Sequence, residues 1–440
     1  MCCFARLRRY LLLVALVCVA VARCGADEAE TKATQVAQTF ITHCTKGEYT
    51  AAASAFDATM RTAIPVPQLQ QVWEGITQQA GAFVALQDTH CQRVPPYTVI
   101  SVICQFNKQA WGVIVACDDR GTVSGLYFYP DTPPYADLTK FHEVAVTIGT
   151  APWALPGTLT VPNGPGPFRV VVLVHGSGAN DRNETVGPNK PFRDLAWGLA
   201  TQGIAVLRYE KRNYTHAAEC AKLPVFTVKE ETIDDAVAAV ALLRTRQEID
   251  GRNIYVLGHS LGGYLVPRIA QADGAISGFI ILAGAARPLE DIILEQNDYF
   301  CKLDGKVTDD EQRVLTAAHA GAARIKDPAL PLDTPAAQLF NAPACYWLDL
   351  RGYQPAERAK TLQQPLLILQ GKRDYQVTHD DYLLWSAALA TRPNVTMKEY
   401  DDLNHFFLPG KGRSTPAENE QPGHVDVHVV EDIAAWIAAR

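Results

Sequence analysis

The chain lacks the features that mark nucleic-acid-binding and nucleotide-dependent proteins. Its 40 lysine and arginine residues are outnumbered by 47 aspartate and glutamate residues, which gives a formal net charge of −7. Binding to phosphate backbones or anionic membrane surfaces depends on basic side chains, so neither partner is expected. There is also no Walker loop, and no Rossmann glycine fingerprint followed by an acidic residue at the required spacing. The sequence therefore predicts no cofactor.

Metal-ligand patterns are missing as well, although cysteine is not scarce. No Cys-x-x-Cys pair and no histidine and cysteine cluster has the spacing of zinc ligands, so no metal is predicted. Of eleven cysteines, four lie in or beside the N-terminal segment, and the remaining seven cannot all pair internally. In an oxidising compartment Cys104 could pair with Cys91 or Cys117, and Cys301 with Cys345, with the connectivity left open.

The first 24 residues have the three parts of a secretory signal peptide. Three arginines at positions 6, 8 and 9 precede an apolar run over residues 11–22 that ends in small residues. The run is shorter than the roughly 20 residues that cross a bilayer, which disfavours a membrane anchor. Cys24 allows a lipoprotein alternative, although Arg23 departs from the usual lipobox. We expect an exported protein: periplasmic, secreted, or held at the membrane by a lipid anchor at Cys24.

Residues 28–130 are predicted to form a small α+β domain. Helical patterning is followed by β-rich segments, an order typical of helices packed on an antiparallel sheet. The predicted helices cover residues 34–43, 51–61 and 67–79, and the predicted strands cover residues 97–104, 111–117 and 123–129. This order, with the segment Gly47-Glu48-Tyr49…Phe56-Asp57, resembles the cone-shaped domains similar to nuclear transport factor 2. The proline-containing residues 131–140 are predicted to be a linker.

Residues 141–440 alternate between strand and helix patterns and are predicted to form a doubly wound α/β domain. Near-continuous apolar runs such as residues 170–174 are typical of parallel strands covered on both faces. The predicted strands are residues 143–148, 157–161, 169–174, 205–208, 254–257, 278–282, 365–369 and 395–400, with helices at 192–202 and 231–246. Residues 285–346 break this alternation, and we interpret them as a helical cap over the carboxyl ends of the strands.

The segment GHSLGG, residues 258–263, has the pattern of a nucleophile elbow. It follows the apolar run 254–257 and opens into a helix-compatible segment. Glycines two positions before and after the serine leave space for a strained turn that exposes the hydroxyl group. The pattern predicts Ser260 as a nucleophile.

A serine nucleophile needs a histidine base and an acid, which in the α/β-hydrolase order follow it as acid and then histidine. Asp374 comes just after a late apolar strand, with Asp380 and Asp381 as nearby rivals. His405 lies in the loop after the last predicted strand, with His424 as its rival. We predict Asp374 as the acid and His405 as the base. His259 is interpreted as a packing residue, because adjacent residues on a tight turn point in different directions.

Acyl transfer also needs two hydrogen-bond donors for the developing oxyanion. One predicted donor is the N–H of Leu261, directly after the nucleophile. The second is predicted in the loop His175-Gly176-Ser177-Gly178 after a buried strand, where Ser177 or Gly178 would donate.

These motifs together resemble the α/β-hydrolase superfamily over about residues 141–440. The resemblance is to bacterial secreted esterases related to dienelactone hydrolases and to prolyl-oligopeptidase-like or aminopeptidase-like serine hydrolases. It rests on the loop at 175–178, GHSLGG, residues 371–374, residues 404–405, and the segments NKPFRDLA at 189–196 and YEKR at 209–212. Dienelactone hydrolases carry cysteine as nucleophile, and epoxide hydrolases and dehalogenases carry aspartate. A serine at this position favours carboxylic-ester chemistry.

The leading hypothesis is a secreted serine carboxylesterase for short or medium acyl esters, with a small-molecule ester as substrate. The first alternative is an aminopeptidase-like peptidase, in which cap carboxylates would hold the substrate amine; the candidates are Glu290, Asp291, Glu295 and Asp298. The second is a non-catalytic binding protein that keeps the hydrolase fold as a scaffold.

Overall fold

The computed structural model describes residues 28–440. The chain divides into two compact units, of which the first ends at Pro134 and the second covers Tyr135–Arg440. The predicted signal peptide and the lipid anchor at Cys24 lie outside the described residues. Within the described part of the chain, no helix is both long enough and apolar enough to span a membrane.

The first unit packs helices on one antiparallel sheet. Its helices are α1 (Glu28–Thr45), α2 (Tyr49–Ala52), α3 (Ala58–Ala63) and α4 (Val66–Ala80). Its strands are β1 (Phe83–Val94), β2 (Tyr97–Phe106), β3 (Ala110–Cys117) and β4 (Val123–Pro130), hydrogen-bonded in that order. In α4 the buried residues Leu69, Trp73, Ile76 and Ala80 recur at helical spacing, which places one apolar stripe against the sheet. The predicted small α+β domain is confirmed.

Strand β1 is absent from the sequence-based interpretation. No residue of β1 is buried, and polar residues occupy much of its length. An edge strand with so little burial has no regular alternation of apolar and polar residues, which is the signal that identified its neighbours. Its pairing with β2 decides its conformation instead.

The second unit is built on an eight-stranded, mostly parallel sheet. The strands are β5 (Phe141–Ile148), β6 (Leu155–Pro162), β7 (Phe168–Val174), β8 (Ala205–Tyr209), β9 (Ile249–His259), β10 (Gly278–Leu282), β11 (Leu366–Gly371) and β12 (Val395–Tyr400). Their order is β12-β11-β10-β9-β7-β8-β6-β5, with antiparallel pairing only where β6 meets β5 and β8. Strand order therefore reverses around β7, next to β9.

Helices cover both faces of this sheet. They are α5 (Pro191–Thr201), α6 (Arg212–Thr215), α7 (Ala217–Cys220), α8 (Asp234–Leu243), α9 (Leu261–Ala272), α10 (Leu289–Cys301), α11 (Asp309–Lys326), α12 (Ala344–Leu350), α13 (Pro355–Ala359), α14 (His379–Leu389) and α15 (Val427–Ala438). Along β7, Val170, Val172 and Val174 enter one core, which contains α8 and α9 residues, whereas Val171 and Leu173 enter the other, which contains α5 and α15 residues. Burial on both faces explains the continuous apolar run, and the predicted doubly wound α/β fold is confirmed.

The segment between β10 and β11 is helical throughout its ordered elements. Helices α10 and α11 fall within residues 285–346, but α12 and α13 continue the helical region as far as Ala359. Leu289 and Ile292 of α10 line the cavity described below, so this insertion forms one wall of the candidate site.

The proposed disulfide pairs are wrong. All seven cysteines of the described residues are free. Cys104 lies opposite Trp111 on β3, whereas Cys117 of the same strand lies opposite Thr98. Six residues of strand, about 20 Å at the usual rise per residue, therefore separate the two along the sheet. Periodicity predicted the strands but not their register, on which any cross-strand pairing depends.

Candidate active site

Ser260 lies on a sharp turn between β9 and α9. Its backbone angles are φ 51° and ψ −114°, a left-handed φ that costs free energy for a residue with a side chain. The surroundings hold this conformation, since the N–H of Ser260 donates to the carbonyl of Leu282 at 2.9 Å. The serine is thereby lifted off the end of the strand towards the carboxyl edge of the sheet.

The two motif glycines are required because backbone atoms fill the space where side chains would be. A Cβ atom at Gly258 would lie 2.3 Å from the carbonyl carbon of Gly262. A Cβ atom at Gly262 would lie 2.3 Å from the carbonyl oxygen of Val174 at the end of β7. The spacing G-x-S-x-G is therefore a packing requirement of the turn.

Gly262→Ala is expected to destabilise the protein by about 1–3 kcal/mol, the usual cost of overpacking, because the colliding atom is backbone and cannot rotate away. Urea unfolding would measure the change. Gly274→Ala is the matched control, since a Cβ atom there meets nothing within 4 Å and that glycine has no left-handed φ. Equal stability of the two variants would contradict the packing explanation.

His405 and Asp374 form a buried hydrogen-bonded pair. Nδ1 of His405 lies 2.6 Å from Oδ2 of Asp374, and their side chains are 4% and 0% exposed. The other carboxylate oxygen accepts the N–H groups of Gln376 at 2.7 Å and Val377 at 3.0 Å. Asp374 is thus fixed by the turn after β11, and it orients the imidazole so that Nε2 stays available.

The rival residues are placed elsewhere. Asp380 is exposed on α14, whereas Asp381 is buried and accepts the backbone N–H of Ala286 while pairing with Arg287. His424 lies 3.0 Å from Asp194. None of these three lines the cavity that contains Ser260.

The loop after β7 is held by side chains on both sides. Oε1 of Glu184 accepts the N–H of Gly176 at 2.6 Å, and Nζ of buried Lys211 donates to the carbonyl of Gly176 at 2.7 Å. In a trans peptide the carbonyl and the following N–H point in opposite directions, so Lys211 turns the N–H of Ser177 away from itself. In the described part of the chain the N–H groups of Ser177, Gly178 and Leu261 donate to no protein acceptor.

One cavity brings most of the predicted site residues together. Ser260, Leu261, Ser177, Gly178 and His405 all line it, and Asp374 lies behind His405. One apolar wall of the cavity comes from the helical insertion and the loop after β11; this wall contains Ala285, Leu289, Ile292 and Val377. Among residues 28–440 no group of three or more histidine, cysteine or acidic residues is arranged to hold a metal ion.

Sequence reasoning missed Glu184 and the role of its partner His259. Nδ1 of His259 lies 2.8 Å from Oε2 of Glu184, an ion-pair contact rather than a well-directed hydrogen bond. The other ring nitrogen, Nε2, lies 3.0 Å from the carbonyl oxygen of His405. Glu184, nine residues after His175, belongs to no recognisable motif, so no sequence pattern points to its pairing with His259.

Comparisons with known proteins agree with this architecture. Residues 171–418 match the profile of the alpha/beta hydrolase family, and residues 37–126 match a family described as a protein of unknown function, DUF3887. The chain is 37% identical over 409 residues to Esterase EstD of Thermotoga maritima, an alignment that covers 92% of this chain and 95% of that relative.

Two solved structures align with much of the chain. A puromycin-hydrolyzing peptidase from Mycobacterium tuberculosis aligns with a TM-score of 0.51 and 15% identity, over 81% of this chain and 48% of that one. Est1E from Butyrivibrio proteoclasticus aligns with a TM-score of 0.44 and 17% identity, over 67% of this chain and 99% of that one. The doubly wound sheet and the serine turn define a hydrolase fold. With the family profile and the relative covering nearly the whole chain, the protein belongs to the α/β-hydrolase family.

Proposed function

We propose that the protein is a serine hydrolase that cleaves carboxylic esters through an acyl-enzyme on Ser260. The observation that carries the proposal is one cavity lined by a strained serine turn and by His405, whose imidazole is bonded to buried Asp374. The relative from Thermotoga maritima is named an esterase, which supports the same reaction class.

In the proposed reaction, Oγ of Ser260 attacks the ester carbonyl carbon while Nε2 of His405 takes the hydroxyl proton. The carbonyl electrons move to the oxygen, which the N–H groups of Leu261 and of Ser177 or Gly178 would stabilise. When the carbonyl re-forms, the bond to the alcohol oxygen breaks and His405 returns the proton to that oxygen. Water then attacks the acyl group in the same way, which releases the acid and regenerates Ser260.

The cavity supports an apolar acyl group of short or medium length. The alanine, leucine, isoleucine and valine side chains of this wall carry no charge, and the charged residues that also line the cavity, Glu184 and His259, contact each other. Each methylene group that an apolar wall shields from water makes binding of the acyl chain more favourable by roughly 0.8 kcal/mol. This gain ends when the chain is longer than the cavity. Chain-length preference is therefore the property that this wall controls.

The cap carboxylates are not placed to hold the free amine of a peptide, which favours esters as substrates. Asp291 pairs with Lys326, Glu295 with Arg287, and Asp298 with Lys302. None of these three carboxylates lines the cavity, nor does Glu290. The acidic residue that does line it, Glu184, already contacts His259.

A series of p-nitrophenyl esters from acetate to laurate tests the proposal. We expect kcat/KM to rise with chain length and then fall, with a maximum before laurate, and to exceed by far the rate on amino-acid arylamides. Fluorophosphonate labelling of the same preparation reports whether a reactive serine is present. Arylamide cleavage without ester cleavage would favour the peptidase, whereas the absence of both activities and of labelling would leave a binding protein on a hydrolase scaffold.

We also propose that the protein is exported, on the strength of residues 1–24 alone. Mass spectrometry of the protein from its native host distinguishes the two routes. A new N-terminus after the small-residue site indicates a signal peptide, and a diacylated Cys24 indicates a lipoprotein. An intact Met1 on the cell-associated protein would contradict export.

A further inference from the structure

The pair of His259 and Glu184 takes no part in the proton transfers proposed above, yet it lines the same cavity. The two side chains are buried, at 4% and 5% exposure. Glu184 itself has a left-handed φ of 51°, a conformation that costs free energy and that its buried contacts maintain. Burying two charges and straining the backbone both cost free energy. The contacts of the pair therefore indicate what it does in the site.

These contacts form one continuous chain of residues across the site. The N–H of Gly176, in the loop of the predicted oxyanion donors, donates to Oε1 of Glu184. Oε2 of Glu184 contacts Nδ1 of His259, and Nε2 of His259 contacts the carbonyl oxygen of His405. This chain of contacts connects the loop of the predicted oxyanion donors to the loop that carries His405. It passes next to the nucleophile, because His259 directly precedes Ser260.

We propose that Glu184 holds His259 as a doubly protonated imidazolium, and that this pair positions the oxyanion loop and the His405 loop relative to each other around Ser260. Its part in catalysis rests on the serine mechanism proposed above. Neither residue touches the reacting atoms in that mechanism, so both are positioning residues.

The neighbours of His259 favour two protons on its ring. An ionised Glu184 and a backbone carbonyl only accept hydrogen bonds, and the negative charge of Glu184 at 2.8 Å favours a positive ring. Burial disfavours the charge on each group, but their mutual attraction outweighs it, which raises the pKa of His259 and lowers the pKa of Glu184. His259 therefore keeps its second proton to higher pH than an ordinary histidine does, and loses it as the pH rises through that raised pKa.

The other titratable groups around the pair do not take over these contacts. The ring of His405 lies 4.7 Å from that of His259, centroid to centroid, but its Nδ1 is occupied by Asp374. Burial lowers the pKa of His175 to about 4, so it remains neutral beside Glu184. Lys211 is engaged with Glu231 and with the carbonyl of Gly176. His259 is thus the cation that balances Glu184.

Glu184→Gln removes the negative charge of the side chain but keeps its size and shape. The amide oxygen can still accept the N–H of Gly176, which turns the amide NH₂ group towards Nδ1 of His259. That nitrogen must then accept, so His259 becomes neutral while its Nε2–H still reaches the carbonyl of His405. We expect kcat for esters to fall about 10- to 100-fold at neutral pH with KM little changed, since a misplaced catalytic group costs up to about 10²-fold. The deficit should narrow as the pH rises and His259 of the unmodified protein loses its second proton.

Nitrogen NMR of histidine-labelled protein reads the proton count directly. We expect both ring nitrogens of His259 to carry hydrogen at neutral pH in the unmodified protein, and only one in Glu184→Gln. His259→Gln identifies the signal and should show a similar kcat deficit. Its side chain has no titratable group, so His259→Gln itself contributes no step to the pH profile. Glu431→Gln removes the same charge from an exposed position on α15 and should match the unmodified protein in every readout.

Two results would overturn the proposal: a single ring proton on His259 of the unmodified protein at neutral pH, or a kcat in Glu184→Gln equal to that of Glu431→Gln. If His259→Gln fails to fold, the signal that changes between the unmodified protein and Glu184→Gln identifies His259. If the unmodified protein cleaves no ester, the proposed function fails, and the NMR measurement still decides the protonation state of the pair.

Discussion

Replacing Ser260 by alanine is expected to lower kcat/KM for ester hydrolysis about 10⁵- to 10⁶-fold, to the level that the rest of the site supports without a nucleophile. The hydroxyl group is the one group of the site that forms a covalent bond to the acyl carbon in the proposed mechanism. Alanine keeps the Cβ atom and so preserves the packing of the turn, where a Cβ atom added at Gly176 would lie 3.1 Å from the Cβ of residue 260. The loss should therefore occur without loss of stability.

The measurement is hydrolysis of the best ester of the chain-length series, with the urea midpoint of the same preparation. Fluorophosphonate labelling should disappear together with activity. Ser386→Ala is the matched control, because that serine is half-buried on α14 and lies outside the cavity. If Ser260→Ala retains more than about a hundredth of the activity, catalysis does not proceed through this serine.

The second large effect is expected for Asp374→Asn, about 10⁴-fold in kcat. The backbone N–H groups of Gln376 and Val377 would keep the amide oxygen where Oδ1 now lies. The amide NH₂ group would then face Nδ1 of His405 in place of Oδ2. Nδ1 would have to accept, which moves the imidazole proton to Nε2, the nitrogen that must take the proton of Ser260. The variant would hold the correct geometry in the wrong tautomer.

Asp380→Asn is the control, since it makes the same chemical change on an exposed carboxylate six residues along the chain. It should retain full activity. Nitrogen NMR would show the moved proton on His405 directly. Full activity in Asp374→Asn would exclude Asp374 as the acid. The hydrogen bond between Asp374 and His405 would then no longer support His405 as the base.

The serine turn and the buried strands have regular sequence patterns, which is why a single sequence could predict them. The glycines of GHSLGG report a turn in which backbone meets backbone, and the structure places those atoms 2.3 Å from any added Cβ. The apolar run of β7 reports burial on two faces, and its residues do alternate between two cores. Each pattern can be recognised within a few residues of chain, even where the contact behind it involves another strand, as for Gly262 and Val174.

Other features depend on residues that are distant in the chain, and no local pattern contains them. Glu184 meets Gly176 and His259, and the distances between these three positions in the chain follow no helical or strand period. The long edge strand β1 is defined by hydrogen bonds to β2, not by burial. The separation of Cys104 from Cys117 is set by the register of β2 against β3, which the apolar periodicity does not specify.

The sequence by itself therefore determined the fold class and the serine turn, because the glycine spacing of the turn and the continuous apolar runs of strands buried on both faces can be recognised along the chain. Only the tertiary structure decided how the site is held together. Three sets of contacts join separate loops at the carboxyl edge of one sheet. They are the hydrogen bond between Asp374 and His405, the hydrogen bonds of Gly176 with Glu184 and Lys211, and the ion pair beside Ser260. Such contacts exist only once the sheet has brought those loops to the same place.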